Sequence, residues 1–255
     1  MVTRIIAVAS QKGGTGKTAS ALNLGAALAL ECAQSVLLVD IDPQANLTMG
    51  LGVDPYEANP TIYDVLLHHR EGITSAIRPT EVEGLDLVPS TLDLAGAELE
   101  LAGRFGREWL LRRALADAVD RYDFVLIDTP PSLGLFTQNA LVAASEILIP
   151  LQVHVYALKA LPQLQRVIGI VREQNTSLHV MGVALTMYDR RNRLTEQVET
   201  SVRSALGNLV FETTIPVNVR LAESPAAGKP VLLFAPSSPS AVAYRKLAQE
   251  VMQRG

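Results

Sequence analysis

Short, continuously apolar runs alternate along the chain with longer stretches in which apolar residues return every three or four positions. The runs RIIAVA (4–9), SVLLVD (35–40), YDFVLID (122–128), EILIP (146–150) and VMGVALT (180–186) have strand length and carry few polar residues. Strands covered on both faces read this way. Helical spacing fills 18–30, 107–119, 158–173, 195–206 and 241–252, with Leu24 and Leu28 on one face of the first of these. Strands that alternate with helices predict an α/β fold: a doubly wound, mainly parallel sheet with helices on both faces. In such a sheet ligands bind at the carboxyl ends of the strands. The stretch 52–60 is turn-rich but short, and there is no internal repeat or low-complexity linker, so residues 1–255 are expected to form a single domain.

The junction of the first strand and first helix carries the first chemistry. It reads Ser10-Gln11-Lys12-Gly13-Gly14-Thr15-Gly16-Lys17-Thr18-Ala19. This is a variant of the phosphate-loop pattern, matching its closing Gly16-Lys17-Thr18 but lacking its first glycine. Backbone N–H groups of such a loop and helix N-terminus face an anion, and glycine lets the backbone approach it closely. Lys17 is then expected to reach the β- and γ-phosphates, and the Thr18 hydroxyl to hold Mg²⁺. Nothing in that chemistry needs Lys12, which on the residues alone is either a solvated loop lysine or a second functional cation.

Two further strands end in acids. Asp128 closes YDFVLID, and Asp40 and Asp42 close SVLLVDID. Asp128 fits an acid that orients Mg²⁺ beside the loop threonine. Asp40 and Asp42 could polarise an attacking water or support the metal. Each alone reads equally as a turn former; three around one phosphate loop point to nucleotide hydrolysis.

Composition then narrows the class. Hydrophobic residues make up 48% and charged residues 19% of the 255, as in a compact globular protein. No apolar run reaches membrane-spanning length, because Glu146 and Pro150 interrupt the longest candidate. Cys32 is the single cysteine, which excludes internal disulfides and cysteine-only clusters. With no leader pattern ahead of the first strand, the cytoplasm is the expected compartment. A net charge of −4 gives no global attraction to nucleic acid, so any DNA contact needs a local basic patch.

Taken together, KGGTGKT, VDIDPQANLT, TIYDVLL, LDLVPSTLDLAGAELEL, YDFVLIDTPPSLGLFTQNAL, ALTMYD, IPVNVRLAESPAAGKPV and AYRKLAQEV resemble the ParA/Soj chromosome-partitioning ATPases, in order and across essentially the whole chain. These belong to the deviant Walker A group of P-loop NTPase-like proteins, alongside MinD. The resemblance implies an ATP-dependent homodimer that binds double-stranded DNA without sequence preference, associates with the nucleoid and answers to a ParB-type partner. It implies ATP and Mg²⁺ as cofactors, and gives Lys12 a role: reaching across the dimer to the partner's nucleotide. Two facing triphosphates repel strongly, and a cation from each side offsets that charge and makes assembly depend on ATP. Asp42 then resembles the water-orienting acid, with Asp40 and Asp128 supporting Mg²⁺. Pro216 and Asn218 resemble the residues that frame adenine. The segment Asp128-Thr129-Pro130-Pro131 resembles a switch that senses the γ-phosphate.

Arg191, within the cluster Arg190-Arg191-Asn192-Arg193, and Arg220 match positions that contact DNA in similar proteins. Val217 and the segment 235–240 depart from the basic residues of many relatives, which implies either weaker DNA binding or the use of Lys229, Arg245 and Lys246 instead. Three rivals share the ATPase core. A MinD-like membrane ATPase needs a basic amphipathic C-terminal helix, whereas 244–255 reads as the last packed helix. An iron–sulfur carrier needs clustered cysteines. A metabolic ligase or kinase is not separated by fold and needs a small-molecule acceptor pocket.

Overall fold

The computed structural model describes residues 2–68, 72–154 and 161–254. Eight strands among them form one sheet: β1 (Arg4–Val8), β2 (Val36–Asp40), β3 (Arg78–Pro79), β4 (Leu85–Val88), β5 (Phe124–Asp128), β6 (Glu146–Gln152), β7 (His179–Tyr188) and β8 (Val210–Pro216). Their order is β3-β4-β2-β5-β1-β6-β7-β8. Every pairing is parallel except β3 with β4 at one edge. From β1 the chain first builds one half of the sheet, with β5 returning between β2 and β1, and then winds outward on the other side through β6, β7 and β8. The loop that follows β1 therefore lies where a doubly wound sheet opens its crevice.

Alternation along each strand separates two cores. Ile6, Val8, Leu38, Leu126 and Leu148 belong to one hydrophobic cluster; Ala7, Val39, Ile127, Ile147 and Ile149 belong to the other. The first is covered by α1 (Lys17–Cys32) through Leu22, Leu24 and Leu28, and by α11 (Pro239–Gln253) through Tyr244 and Leu247. The second is covered by α3 (Ile62–His68), α4 (Leu94–Leu101), α5 (Leu110–Leu115), α6 (Leu135–Ala143), α7 (Leu161–Arg172) and α8 (Arg193–Leu206). Three short helices, α2 (Asn46–Gly50), α9 (Val219–Glu223) and α10 (Val231–Phe234), lie near the strand ends. The fold is the expected α/β sheet with helices on both faces. None of the described helices is long and apolar enough to cross a membrane.

The five expected strands all form, with β6 and β7 each running two residues or more beyond the apolar run that marked them. The helix expected over 107–119 is broken. A 3-10 turn at Arg107–Trp109 leads into α5, which stops at Leu115, and a second 3-10 turn spans Val119–Arg121. The Thr3 hydroxyl lies 2.9 Å from the Val119 carbonyl and 2.8 Å from that of Tyr122, so the second turn is tied to the residue before β1 as it leads into β5. Of the helix expected over 158–173, residues 158–160 lie outside the described residues, and α7 accounts for 161–172. The apolar pattern did not reveal β3, β4 or β8, nor α3, α4 or α6. The strands β3 and β4 are only two and four residues long, too short for periodicity to declare them.

Candidate nucleotide site

Backbone geometry makes the β1–α1 loop an anion cradle. Gly14 and Gly16 hold φ of 72° and 86°, the left-handed region that glycine enters without strain. Gly16 caps α1, and no heavy atom lies within 4 Å of where a Cβ on Gly14 would stand. The loop is fastened from behind. The Thr186 hydroxyl on β7 donates to the Thr15 carbonyl at 2.7 Å, and the Ser10 and Thr15 hydroxyls meet at 2.6 Å.

Parallel register brings the acids together. Asp40 of β2 stands opposite Asp128 of β5, and Asp128 is also level with Val8, where β1 enters the loop. Local sequence could place each acid at a strand end; only the pairing of β2 with β5 makes them neighbours. Both are fully buried, and burial pushes both carboxyl groups up: Asp40 to about 7, and Asp128 well above the usual range, with the Asp40 charge adding to the effect.

Their surroundings differ. Asp40 accepts from the Thr48 amide at 2.9 Å, the Thr48 hydroxyl at 2.7 Å and the Asp42 amide at 3.1 Å, so its oxygens organise the β2–α2 turn. Among the described residues, neither carboxyl oxygen of Asp128 has a hydrogen-bond partner. The Thr18 hydroxyl and the Lys17 ammonium are its favourable polar neighbours. A buried carboxylate without partners is costly unless something else satisfies it. Two orphaned oxygens beside a threonine hydroxyl suit a hard divalent cation such as Mg²⁺. Lys17 is itself buried. Desolvation lowers its pKa, while Asp128 and Asp42 oppose that shift.

A cavity of about 780 Å³ opens above this floor. Gly13, Gly14, Gly16, Lys17, Thr18, Ala19 and Asp42 line one part of it, and Pro216 and Asn218 another. That volume suits a nucleotide-sized ligand. Asp42 uses Oδ1 to accept from the Gln44 amide at 3.0 Å, leaving Oδ2 for the cavity. The Asn218 side-chain oxygen caps α9 by accepting from the Leu221 amide at 3.2 Å, which leaves its amide group to donate. Thr15 is buried behind the loop and does not line the cavity; Asp40 and Asp128 lie below it.

Sequence reasoning missed several lining residues. Met49, Met187, Leu221, Pro225 and Tyr244 supply apolar wall from four separate segments. Met187 holds φ 53°, which only the tertiary structure reveals. Ser90, also unanticipated, ties β4 to the site: its hydroxyl donates to the Asp42 carbonyl at 2.8 Å and its amide to the Thr48 hydroxyl at 2.9 Å.

The remaining expected residues lie outside the cavity. Lys12 is exposed, and its Nζ lies 3.0 Å from His154 Nε2. Arg191 pairs with Asp189 at 3.0 Å and Arg220 with Glu223 at 2.9 Å. Lys229 and Arg245 are likewise paired, with Glu81 at 3.0 Å and Glu31 at 2.7 Å.

Comparison with known proteins agrees with this geometry. A family model described as an AAA domain matches residues 3–180. The chromosome partitioning protein ParA of Caulobacter vibrioides is 47% identical over 254 residues, covering 98% of this chain and 94% of that protein. The sporulation initiation inhibitor protein Soj of Bacillus subtilis is 46% identical over 253 residues, covering 99% of each. Among solved structures, cobyrinic acid a,c-diamide synthase from Mycobacterium smegmatis, with bound ATP analog and magnesium, superposes with a TM-score of 0.86 at 38% identity, covering 99% of this chain and 95% of that one. With its phosphate loop, its paired strand-end acids and near-full-length identity to partitioning proteins, this chain belongs to the ParA/Soj family of P-loop ATPases.

Proposed function

We propose that this chain is an ATP-dependent dimerising switch that binds DNA without sequence preference and segregates chromosome or plasmid DNA with a ParB-type partner. One observation carries the nucleotide chemistry: Gly13, Gly14, Gly16, Lys17 and Thr18 line one cavity, and beneath it lies Asp128, whose carboxyl oxygens have no hydrogen-bond partner among the described residues. Loop amides and the α1 N-terminus would hold the phosphate chain, with Lys17 as its direct cation. Thr18 and Asp128 would hold Mg²⁺, which when bound supplies positive charge to the transferring phosphoryl group. Asp42 would accept a hydrogen bond from the attacking water at Oδ2 and hold it in line with the γ-phosphate. Asp40 keeps Asp42 in place through its own contact with the Asp42 amide. Pro216, with Met49 and Leu221, would cover the base, and the Asn218 amide would donate to a ring nitrogen.

Lys12 would act in trans on the partner's nucleotide, offsetting charge between two triphosphates and stabilising charge that develops in phosphoryl transfer. Arg191 and Arg220 would meet DNA phosphates from each protomer. Each is paired with a nearby carboxylate, so Asp189 and Glu223 would compete with phosphate for the guanidinium groups. Half-sites of that kind are weak alone and stronger when a dimer presents two. The protein would then work in the cytoplasm, on the nucleoid.

The likeness to an amide-forming synthase keeps a metabolic reading in play, since fold alone does not separate the two. Steady-state ATPase, with DNA and a ParB-type protein added separately and together, discriminates them. Stimulation by both together is the expected result. Turnover indifferent to both, and DNA binding absent at low salt with an ATP analogue, would overturn the partitioning assignment.

A further inference from the structure

We infer that His154 is a positioning residue for Lys12: it tethers the lysine within its own protomer, and dimer assembly must break that tether. The inference rests on the trans role given to Lys12 above.

The geometry is specific. The Lys12 backbone is fixed, because its carbonyl lies 3.3 Å from the Ser10 hydroxyl and 3.4 Å from the Thr15 hydroxyl. What can move is the side chain, and its ammonium reaches 3.0 Å from Nε2 of His154, two residues beyond β6. An ammonium has only donors, so Nε2 must carry the lone pair and accept. Desolvation and the Lys12 charge lower the pKa of His154, which favours that neutral acceptor form. Gly13, next in the chain, already lines the nucleotide cavity, yet Lys12 itself does not. The lysine is therefore held toward the carboxyl end of β6 instead of projecting where a second protomer would present its nucleotide.

Two consequences follow. A tether made in the monomer and lost in the dimer opposes dimerisation, because its hydrogen bond must be exchanged for a phosphate. It also makes the exchange selective, since only a strong anion outcompetes a neutral imidazole for the ammonium. A partly exposed, charge-assisted hydrogen bond shifts an equilibrium by about three- to tenfold. A symmetric dimer breaks two of them, so releasing the tether should tighten dimerisation about tenfold or more.

The test is sedimentation equilibrium with a non-hydrolysable ATP analogue and Mg²⁺, comparing wild type, His154→Ala, His154→Gln, Lys12→Ala and the Lys12→Ala/His154→Ala double variant. His154→Ala should lower the dimer Kd about tenfold, whereas His154→Gln, which keeps an acceptor, should stay close to wild type. The double variant should match Lys12→Ala alone, because the tether has nothing left to hold. A His154→Ala protein that dimerises as wild type does, or more weakly, overturns the tether; so does a gain that persists without Lys12. Lys12→Ala dimerising as well as wild type overturns the trans role itself, a failure seen without any change at His154.

Discussion

The pairing of β2 with β5 buries two carboxyl groups side by side, and that arrangement predicts an inverted dependence of stability on pH in the ligand-free protein. Burial pushes the folded Asp40 carboxyl up to about 7, from its ordinary value of 3.8. Between those values the folded state holds a proton that the unfolded chain has released. Stability is therefore fully present below about pH 4 and is lost as pH rises through 7. Raising a pKa by one is worth about 1.36 kcal/mol, so a rise of about three makes about 4 kcal/mol across the window. Asp128, raised by the same burial, acts in the same direction. Other groups titrate as well, so the informative quantity is a difference. Asp40→Asn removes this titration together with the part of the Asp128 shift that the Asp40 charge supplies, both of which act in one direction, and whatever it changes in the hydrogen bonds to Thr48 and Asp42 is constant with pH. Urea unfolding followed by circular dichroism, in EDTA without nucleotide, from pH 4.5 to 8, measures it. The wild-type curve should fall relative to the variant by about 1.36 kcal/mol per pH unit through most of that range. Parallel curves, or a wild type that gains on the variant as pH rises, would refute the claim that burial dominates over the three hydrogen bonds Asp40 accepts.

Three further outcomes test the site. Binding of Mg²⁺ with an ATP analogue should release protons wherever Asp128 is still protonated in the free protein, because a metal on Asp128 holds it ionised; calorimetry in buffers of different ionisation enthalpy, repeated across a range of pH, reads the number, and zero release at every pH would place the metal elsewhere. Lys17→Ala should abolish nucleotide binding in a fluorescence titration, while Asp42→Ala should slow single-turnover hydrolysis at least about a hundredfold with little change in affinity. Arg191→Ala and Arg220→Ala should each weaken DNA binding uniformly across sequences and flatten its salt slope by roughly one for every phosphate the variant no longer neutralises. Asp189→Asn, which frees Arg191 from its carboxylate, should strengthen binding without changing sequence preference; if all these slopes match wild type, the DNA contacts lie on other residues.

Local sequence determined much of this protein. The apolar runs that became β1, β2, β5, β6 and β7 needed only their own composition, because a strand buried on both faces has no polar side to show. The phosphate loop was equally legible, since close approach to an anion requires glycine, a cation and a hydroxyl at adjacent positions. Those constraints act over about ten residues, within reach of a pattern.

What lay beyond that reach was decided by register and by side chains from distant segments. Asp40 and Asp128 were legible as strand-end acids, but not as neighbours; parallel pairing made them so and left Asp128 without a partner. The apolar wall of the cavity joins Met49, Met187, Leu221 and Tyr244, and no local rule links those positions. The turn at Val119–Arg121 is held by a hydroxyl more than a hundred residues earlier, at Thr3. In the sequence Arg191 and Arg220 stand out only as matches to DNA-contacting positions of similar proteins, yet in the fold each meets a nearby carboxylate. Lys12 shows the division most plainly. Its place in the loop follows from the sequence, whereas its contact with His154 exists only because β6 runs parallel beside β1 and delivers its carboxyl end to the same edge of the sheet.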